Sequence, residues 1–278
     1  MHQGLRIAPS ASSPTAMTLH LPDVADPALP TRWCLFDGQQ VWLDAGNFPA
    51  TPPAHSSNPS FIGHNGCFNL FSAELIGSPP PQWQAHTLRQ ALQGLPADAV
   101  PLLARAAQLR RFEHSHRFCG ACAQPLQAHQ HDHGRGCPSC GELYYPRLSP
   151  AMMVAVTRGR EILLARSPHF SPGLYSALAG FVEPGETLEA CVERETAEEV
   201  GIRIRQLQYV GSQSWPFPHS LMLAFTAEYA GGVITPQPGE IEAADWFDID
   251  NLPPTPAGHS IAHWLIRHTV EQLRHRTS

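Results

Sequence analysis

The alternation of apolar and polar positions in the second half of the chain predicts short strands that pair as hairpins, together with two helices. The apolar run at 151–157 predicts a strand, and 161–165 predicts its hairpin partner. A helical pattern at 188–200 has Thr187 as its N-cap and Gly201 as its C-terminal stop. Further strands are predicted at 178–182, 207–212 and 221–229, and a final helix at 259–275. This mixture predicts an α+β fold or a sheet between helices.

The first half of the chain has weaker signals. Short apolar runs mixed with turn residues predict a small α+β domain that ends in a helix at 96–114. Four cysteines follow this helix directly. The predicted organisation is a flexible arm rich in Pro, Ser and Ala at 1–31, an α+β domain at 32–114, a cysteine module at 115–147 and a C-terminal domain at 148–278.

Composition and charge exclude several classes of protein. No run of eighteen apolar residues is present, and the N-terminus lacks the apolar segment of a signal peptide, so we expect a cytoplasmic protein with no membrane association. The net charge of -6 argues against an extended nucleic-acid surface, which needs a basic stripe. A small nucleotide can still bind where metal ions supply positive charge locally.

The predicted helix at 188–200 carries three carboxylates on one face. Glu195, Glu198 and Glu199 stand at i, i+3 and i+4, and Arg194 is the only nearby cation. Carboxylates that are left this close together favour bound hard cations, most plausibly Mg²⁺ or Mn²⁺. For the glutamates alone, an exposed acidic helix is the favoured interpretation.

The residues around these glutamates decide between the two interpretations. The segment 180–202 fits the pattern Gly-x5-Glu-x7-Arg-Glu-x-x-Glu-Glu-x-Gly, which occurs by chance at roughly one in 10⁸ positions. It resembles the Nudix box, and the resemblance implies a C-terminal α/β/α sandwich and metal-dependent cleavage of a diphosphate bond. One departure is Thr196, where the pattern prefers an aliphatic residue.

The resemblance assigns roles to individual positions. It implies that Glu195, Glu198 and Glu199 are the catalytic metal ligands, and that the carbonyl of Ala179 and the side chain of Glu240, which lies outside the box, complete the Mg²⁺ or Mn²⁺ site. The positions that support the box are Gly180, Glu186, Arg194 and Gly201, with Arg194 orienting the carboxylates.

A loop beyond the box narrows the range of candidate substrates. Residues 212–220 read SQSWPFPHS and resemble the SQPWPFPxS signature of the NADH pyrophosphatase branch, with Ser214 in place of a proline. As bare sequence, the same loop is equally typical of a well-packed hydrophobic turn. The resemblance extends over about 117–267 and implies these substrate-binding residues: Tyr145, Phe181, Gln213, Trp215, Phe217 and Ser220.

The cysteine module predicts a structural zinc site. Cys119 and Cys122 form one pair, Cys137 and Cys140 a second, and fourteen residues separate the pairs. Four thiolates at this spacing suit one tetrahedral Zn²⁺, and a closed site has no open position for catalysis. The intervening His129, His131 and His133 are interpreted as solvent-loop residues. A zinc ribbon that binds nucleic acid is the alternative, but the module contains no Lys.

Together, these resemblances imply hydrolysis of NAD(H) to AMP and NMN(H), and removal of NAD caps from RNA 5′ ends. A Nudix enzyme that prefers another nucleotide, such as ADP-ribose, stays open, as does a zinc-ribbon nucleic-acid-binding protein with a degenerate Nudix domain. Which glutamate takes the proton is also open, because several carboxylates titrate as a group.

Assembly into a homodimer is the last expectation. Enzymes of the branch that this chain resembles are homodimers whose pockets contain residues of both subunits. Prolines next to Trp215 and Phe217 limit how far these rings can fold back into their own domain. Aromatic residues of this kind are enriched at the centres of interfaces. The alternative is that both rings, with Phe181, pack inside one subunit.

Overall fold

A computed structural model describes residues 19–52, 56–129 and 132–276 of the chain. Three sheets follow one another along the sequence, with five, three and six strands. The four-cysteine segment forms the small middle sheet, between a larger sheet on each side. The chain is therefore a mixed α and β protein with the predicted order of parts.

The N-terminal part is a five-stranded sheet with two helices packed on it. The sheet has the order β3-β4-β1-β2-β5, in which β1 and β4 are parallel and the other neighbours antiparallel. The elements are β1 (Thr31–Asp37), β2 (Gln40–Asp44), β3 (Ser56–His64), β4 (Asn69–Leu75), β5 (Trp83–Thr87), α1 (Leu88–Gly94) and α2 (Val100–Ser115).

Local signals explain the two N-terminal helices. Helix α1 begins with a capping box in which Thr87 and Gln90 satisfy each other's backbone N–H groups. Helix α2 starts at Val100, later than the predicted 96, with Pro101 in its first turn, where a missing N–H costs little. Its apolar side buries Leu102, Leu103, Ala106 and Leu109 in the core of this sheet.

The segment before β1 is attached to the sheet. Residues 1–18 of the predicted arm lie outside the described residues. In the described part, Leu19 packs against the N-terminal core, and His20 bridges to the backbone of His64. The Asn69 side chain hydrogen-bonds to the backbone of Asp26. Residues 19–30 are therefore not an unattached arm, because their backbone groups find partners in the sheet.

The small middle sheet consists of β6 (Gln127–Ala128), β7 (Arg135–Gly136) and β8 (Leu143–Tyr144), in this order.

The C-terminal part is a sheet covered by a helix on each face. Its strand order is β12-β13-β9-β10-β14, and β11 pairs with β9. The elements are β9 (Ser149–Arg158), β10 (Glu161–Arg166), β11 (Leu178–Phe181), α3 (Leu188–Val200), β12 (Ile202–Trp215), β13 (Ser220–Gly232), β14 (Ala243–Asp248) and α4 (Ile261–Arg276).

Strand β9 shows why this part has three layers. Met152 and Val154 pack on the side of α3 with Cys191 and Val192, whereas Met153 packs on the side of α4. Successive side chains of a strand point to opposite faces, so a strand buried on both faces needs a continuous apolar run. The run at 151–157 has this character, and the predicted α/β/α sandwich is confirmed.

Two predicted strands are longer than their patterns indicated, and one strand was not predicted. Strands β12 and β13 exceed the predicted 207–212 and 221–229 because their ends are polar and partly exposed, and pairing across the sheet extends them. Strand β14 is only six residues long, has an aspartate at two of them, and forms against β10. Among the described residues, every helix is too short or too polar to cross a membrane.

Candidate metal centres and active site

Helix α3 presents the carboxylates. The Thr187 side chain accepts a hydrogen bond from the Ala190 N–H, 3.2 Å, at its start, and Gly201 ends it in the left-handed conformation, φ 74°. The apolar side of α3 faces the sheet, so the remaining side carries Glu195 and Glu198 toward the loop that follows β11. The helix bounds agree with the sequence prediction because both ends are set by local capping.

Arg194 organises the carboxylates around it. Its Nε lies 2.7 Å from Glu186 Oε1, and its Nη1 lies 2.9 Å from Glu195 and 3.1 Å from Glu198. Its Nη2 also donates to the carbonyl of Phe181, 3.1 Å. The hydrogen bonds from Arg194 lower the pKa of Glu186 to about 2, and those with the carboxylates raise the pKa of Arg194. One arginine therefore offsets much of the repulsion along this helix.

Glu199 lies in a different environment from its neighbours. It is 8% exposed, and its Oε2 is buried without a hydrogen-bond partner among the described residues. Burial, and to a smaller extent the charges of Glu195 and Glu240, together raise the pKa of Glu199 to about 8. An unpaired buried carboxylate oxygen beside two other carboxylates is the arrangement that a divalent cation would satisfy.

Glu240 is brought to this place by a segment far along the chain. The Gln237 N–H donates to the backbone carbonyl of Glu199, 2.9 Å, and the Glu240 N–H donates to the carbonyl of Gln237, 3.3 Å. The residues before β14 are thereby attached to the C-terminal end of α3. Glu240 is exposed and close enough for its charge to act on Glu199.

Strand β11 passes directly beside Glu195. A Cβ added to Gly180 would collide with the Glu195 carboxyl group, so a larger residue at this position would displace that carboxyl group. Ala179 is exposed on the same strand and pairs with Met153 of β9. The structure thus brings Ala179 and Gly180 next to the carboxylates, as the box pattern implied.

The loop after β12 packs on the N-terminal domain of its own chain. Phe217 contacts the core of that domain, and the Arg89 guanidinium lies 4.7 Å from the Phe217 ring centroid and 5.9 Å from that of Trp215. The Ser214 hydroxyl donates to Gln108 Oε1 of α2, 3.0 Å. Phe217 thus packs on the other domain of its own chain rather than back into its own domain, and for this ring the structure agrees with the alternative of packing inside one subunit. The contacts span over a hundred residues of sequence and leave no local signal.

The other predicted substrate-binding residues fall into two groups. Gln213 is buried, donates to the carbonyl of His259, 2.6 Å, and accepts from the N–H of Ile261, 2.7 Å, so its amide holds the start of α4. Ser220 is buried at the first position of β13. Tyr145 and Phe181, by contrast, are about half exposed, at 54% and 56%. These two rings are therefore free to contact a ligand.

The four cysteines form a cluster that fits one zinc ion. All four Sγ atoms of Cys119, Cys122, Cys137 and Cys140 lie within 4.8 Å of one another. A tetrahedral site with Zn–S bonds of about 2.3 Å separates its sulfurs by roughly 3.8 Å. The shortest pairs here are 3.5 Å apart, so the cluster matches that geometry.

Hydrogen bonds favour the thiolate form of Cys119. The Tyr144 hydroxyl lies 3.4 Å from Cys119 Sγ and accepts from the Gly120 N–H, 2.9 Å. The bond from Tyr144 and those from backbone N–H groups lower the pKa of Cys119 to about 6. His129 bonds to Asp132 outside the cluster, and His131 lies outside the described residues. His133 is half-buried rather than a free solvent-loop residue.

Comparison with known proteins supports these two sites. Residues 147–267 match the NUDIX domain, and residues 114–145 match the NADH pyrophosphatase zinc ribbon domain. The NAD-capped RNA hydrolase NudC of Chromobacterium violaceum is 59% identical over 93% of this chain and 98% of the relative. The proteins of the same name from Stutzerimonas stutzeri and Deinococcus radiodurans are 57% and 44% identical, over 87% and 91% of this chain and 90% and 92% of the relatives.

Among solved structures, a NUDIX hydrolase from Nitrosomonas europaea aligns with a TM-score of 0.48 and 21% identity, over 57% of this chain and 93% of the other. The sequence relatives cover nearly the whole chain, including the zinc ribbon and the N-terminal part. The chain therefore belongs to the Nudix hydrolase family, in the branch that carries the NADH pyrophosphatase zinc ribbon.

Proposed function

We propose that this chain hydrolyses the diphosphate bond of NAD(H), giving AMP and NMN(H), and that it removes NAD caps from RNA 5′ ends. The relatives that share 44–59% of its residues are named as NAD-capped RNA hydrolases. Both substrates present the same diphosphate, so one site serves both. The observation that carries the proposal is the buried, unpaired oxygen of Glu199 beside Glu195 and Glu240.

The carboxylates of Glu195, Glu198, Glu199 and Glu240, with the carbonyl of Ala179, are the proposed ligands of Mg²⁺ or Mn²⁺. Oxygen donors of this kind suit hard cations. When bound, the cations supply charge neutralisation for the diphosphate and activation of water.

Arg194 acts in this site as a positioning residue. Its guanidinium fixes Glu195 and Glu198 relative to the loop residue Glu186. Held in this way, the carboxylates do not need to reorganise when the substrate enters. The rings of Tyr145 and Phe181 are proposed to stack on the bases, because both are exposed, Tyr145 four residues before the start of β9 and Phe181 at the last position of β11, where it pairs with Ala151 of β9.

A substrate panel tests this proposal. The purified protein is incubated with NADH, NAD, ADP-ribose and NAD-capped RNA, in Mg²⁺ and in Mn²⁺, and the release of AMP or of a 5′-monophosphate RNA end is measured. We expect turnover of NAD(H) and of capped RNA, and none after chelation of divalent cations. Efficient turnover of ADP-ribose alone would contradict the proposed substrate while leaving the diphosphatase chemistry in place.

We also propose that the chain forms a homodimer through the face that bears the zinc ribbon. Large apolar side chains are exposed there at Phe118, Leu143, Tyr145 and Leu148, and Phe181 is exposed near the carboxylates. Exposed apolar residues of this size mark interaction surfaces when they occur together. The test measures mass and activity per subunit over a dilution series. A monomer of 30.4 kDa with full activity contradicts the shared site.

A further inference from the structure

A basic cavity lies where the N-terminal domain, the zinc ribbon and the C-terminal domain meet. Its volume is about 180 Å³, and it is lined by Gln108, Arg111, Phe112, Ser115, His116, Arg147 and His219. The lining includes two arginines and two histidines and no carboxylate. None of these residues is among the proposed metal ligands.

The guanidinium groups of the two arginines lack a counter-charge in the part of the chain that the structure describes. In residues 19–52, 56–129 and 132–276, neither the Arg111 nor the Arg147 guanidinium forms an ion pair or a hydrogen bond, whereas most arginines of the C-terminal domain pair with Asp or Glu. An arginine pair without carboxylates is typical of a site that takes an anion from outside.

A buried neutral donor also indicates a ligand with acceptor oxygens in this cavity. The Nε2 of Gln108 is buried without a hydrogen-bond partner among the described residues. Its Oε1 accepts from Ser214, which fixes the amide so that Nε2 is the free end. A buried N–H donor that lacks an acceptor is costly, so an acceptor on a ligand would relieve it.

The cavity also receives the C-terminal end of α2, whose dipole disfavours anions. That end carries roughly half a negative charge, against two full positive charges from Arg111 and Arg147, so the arginines dominate. In addition, the Ser115 hydroxyl donates to the carbonyl of Arg111, 2.8 Å, which occupies one of the terminal acceptors.

The position of the cavity relates it to the substrate. His219 lies beside Ser149, the first residue of β9, with its Nδ1 3.1 Å from the Ser149 hydroxyl. Along the same strand, Ala151 pairs with Phe181 and Met152 pairs with Gly180, which touches Glu195. Met152 lies three positions along the strand from Ser149, a distance of roughly 10 Å.

We propose that this cavity binds a backbone phosphate of the RNA chain in NAD-capped RNA, next to the cleaved diphosphate. This inference rests on the proposed function. In capped RNA, the adenosine of NAD continues through its 3′ oxygen into a phosphodiester, and one ribose separates that phosphate from the diphosphate. The cavity is thus a single-phosphate subsite that distinguishes capped RNA from free NAD. It needs no basic stripe, in keeping with the net charge of -6.

The test compares two double variants of equal charge. Arg111→Gln with Arg147→Gln removes the cavity's cations, and Arg203→Gln with Arg267→Gln removes two exposed arginines elsewhere on the C-terminal domain. The substrates are NAD, NAD extended by one 3′-linked nucleotide, and a longer NAD-capped RNA. A third variant, Arg111→Lys with Arg147→Lys, keeps both positive charges, and an ammonium group also binds phosphate, although as a point charge.

The cavity variant is expected to raise KM for both extended substrates by about tenfold, while its turnover of NAD stays within twofold of the parent protein. The dependence of log KM on log salt should fall by about 0.7, the value for one phosphate contact on a single strand. The lysine variant should retain most of the parent protein's preference for the extended substrates over NAD, and the control variant should behave like the parent. NAD extended by one nucleotide should show the full rise in KM that the longer RNA shows.

Equal losses on NAD and on capped RNA, or an unchanged KM for capped RNA, would overturn the subsite. Failure of the proposed function is a separate result, because the parent protein would then hydrolyse neither NAD nor capped RNA. A parent protein that hydrolyses NAD but not capped RNA retains the diphosphatase activity and overturns the subsite.

Discussion

The cysteine cluster and the carboxylate site differ in what the folded chain supplies before a metal arrives. The four sulfurs already lie within 4.8 Å of one another, at spacings close to those of a zinc site. The carboxylates of Glu195 and Glu198 are instead paired with Arg194, and one oxygen of Glu199 is buried without a partner. A closed shell of four thiolates stabilises a fold, whereas an incompletely satisfied set of oxygens leaves positions for substrate and water.

The two sites also differ in what stabilises the chain around them. The cysteine module contains only three strands of two residues each and has little core of its own, so the metal must supply much of its stability. The carboxylate helix is held by the sheet beneath it and does not need the metal to fold. The two sites should therefore respond to mutation in opposite ways, the first in stability and the second in rate.

The largest effect is expected for Cys137→Ser. Structural zinc contributes about 10–16 kcal/mol of apparent binding free energy in small modules, so loss of one thiolate should release zinc and expose residues 115–147 to protease. Zinc content and limited proteolysis measure this. Cys67→Ser is the matched control, because Cys67 is exposed and outside the cluster. A zinc-free variant with normal stability and rate would contradict the structural role.

Glu199→Gln is expected to lower the turnover of NAD by a factor on the order of 10² or more while the protein stays folded. The change keeps the shape of the side chain and removes a charge from a buried position. Steady-state rates at saturating Mg²⁺ and thermal unfolding are the measurements. Glu193→Gln, on an exposed position of the same helix, is the control. Near-parental turnover at high Mg²⁺ would remove Glu199 from the site.

Arg194→Lys should lower activity by about 10–100-fold, the range for residues that orient metal ligands. Lysine keeps the charge but cannot bridge Glu186, Glu195 and Glu198 at once, because it lacks the planar fork of donors. The apparent affinity for Mg²⁺ in kinetic titrations should weaken together with kcat. A variant with the parental Mg²⁺ dependence would show that Arg194 does not position the carboxylates.

The smallest expected effect is a pH dependence of cation binding in the parent protein. The pKa of Glu199 is raised from 4.5 to about 8, so without a cation this carboxyl is mostly protonated at pH 7. Binding of Mg²⁺ needs the carboxylate and releases the proton, so affinity should rise roughly fivefold between pH 7 and pH 8 and level off above that. Calorimetry in buffers of different ionisation enthalpy measures the proton.

The raised pKa of Glu199 also affects the stability of the cation-free protein, which should fall as the pH rises, whereas cation affinity increases. A raised folded-state pKa means that the cation-free protein is most stable below pH 4.5, with respect to this group, and loses that contribution as the pH rises to about 8. Added Mg²⁺ should therefore stabilise the protein more at pH 8 than at pH 6 in thermal unfolding. Equal stabilisation at both values would show that Glu199 is already ionised.

The sequence by itself determined the features that depend on residues close together along the chain. The bounds of α3 follow from Thr187 and Gly201, and the box pattern and the cysteine pairs lie within short segments. The strand at 151–157 follows from its apolar run. These features are encoded locally, because capping, side-chain periodicity and ligand spacing act over a few residues.

Only the tertiary structure decided how distant segments meet. Gln213 has the sequence context of a substrate-binding residue, yet its amide is used by the backbone at the start of α4. Phe217 packs on the N-terminal domain, and Gln108 bonds to Ser214 although 106 positions separate them. Burial of one oxygen of Glu199 likewise depends on the sheet and on the segment before β14. Such contacts arise from packing between elements, which no local pattern of residues records.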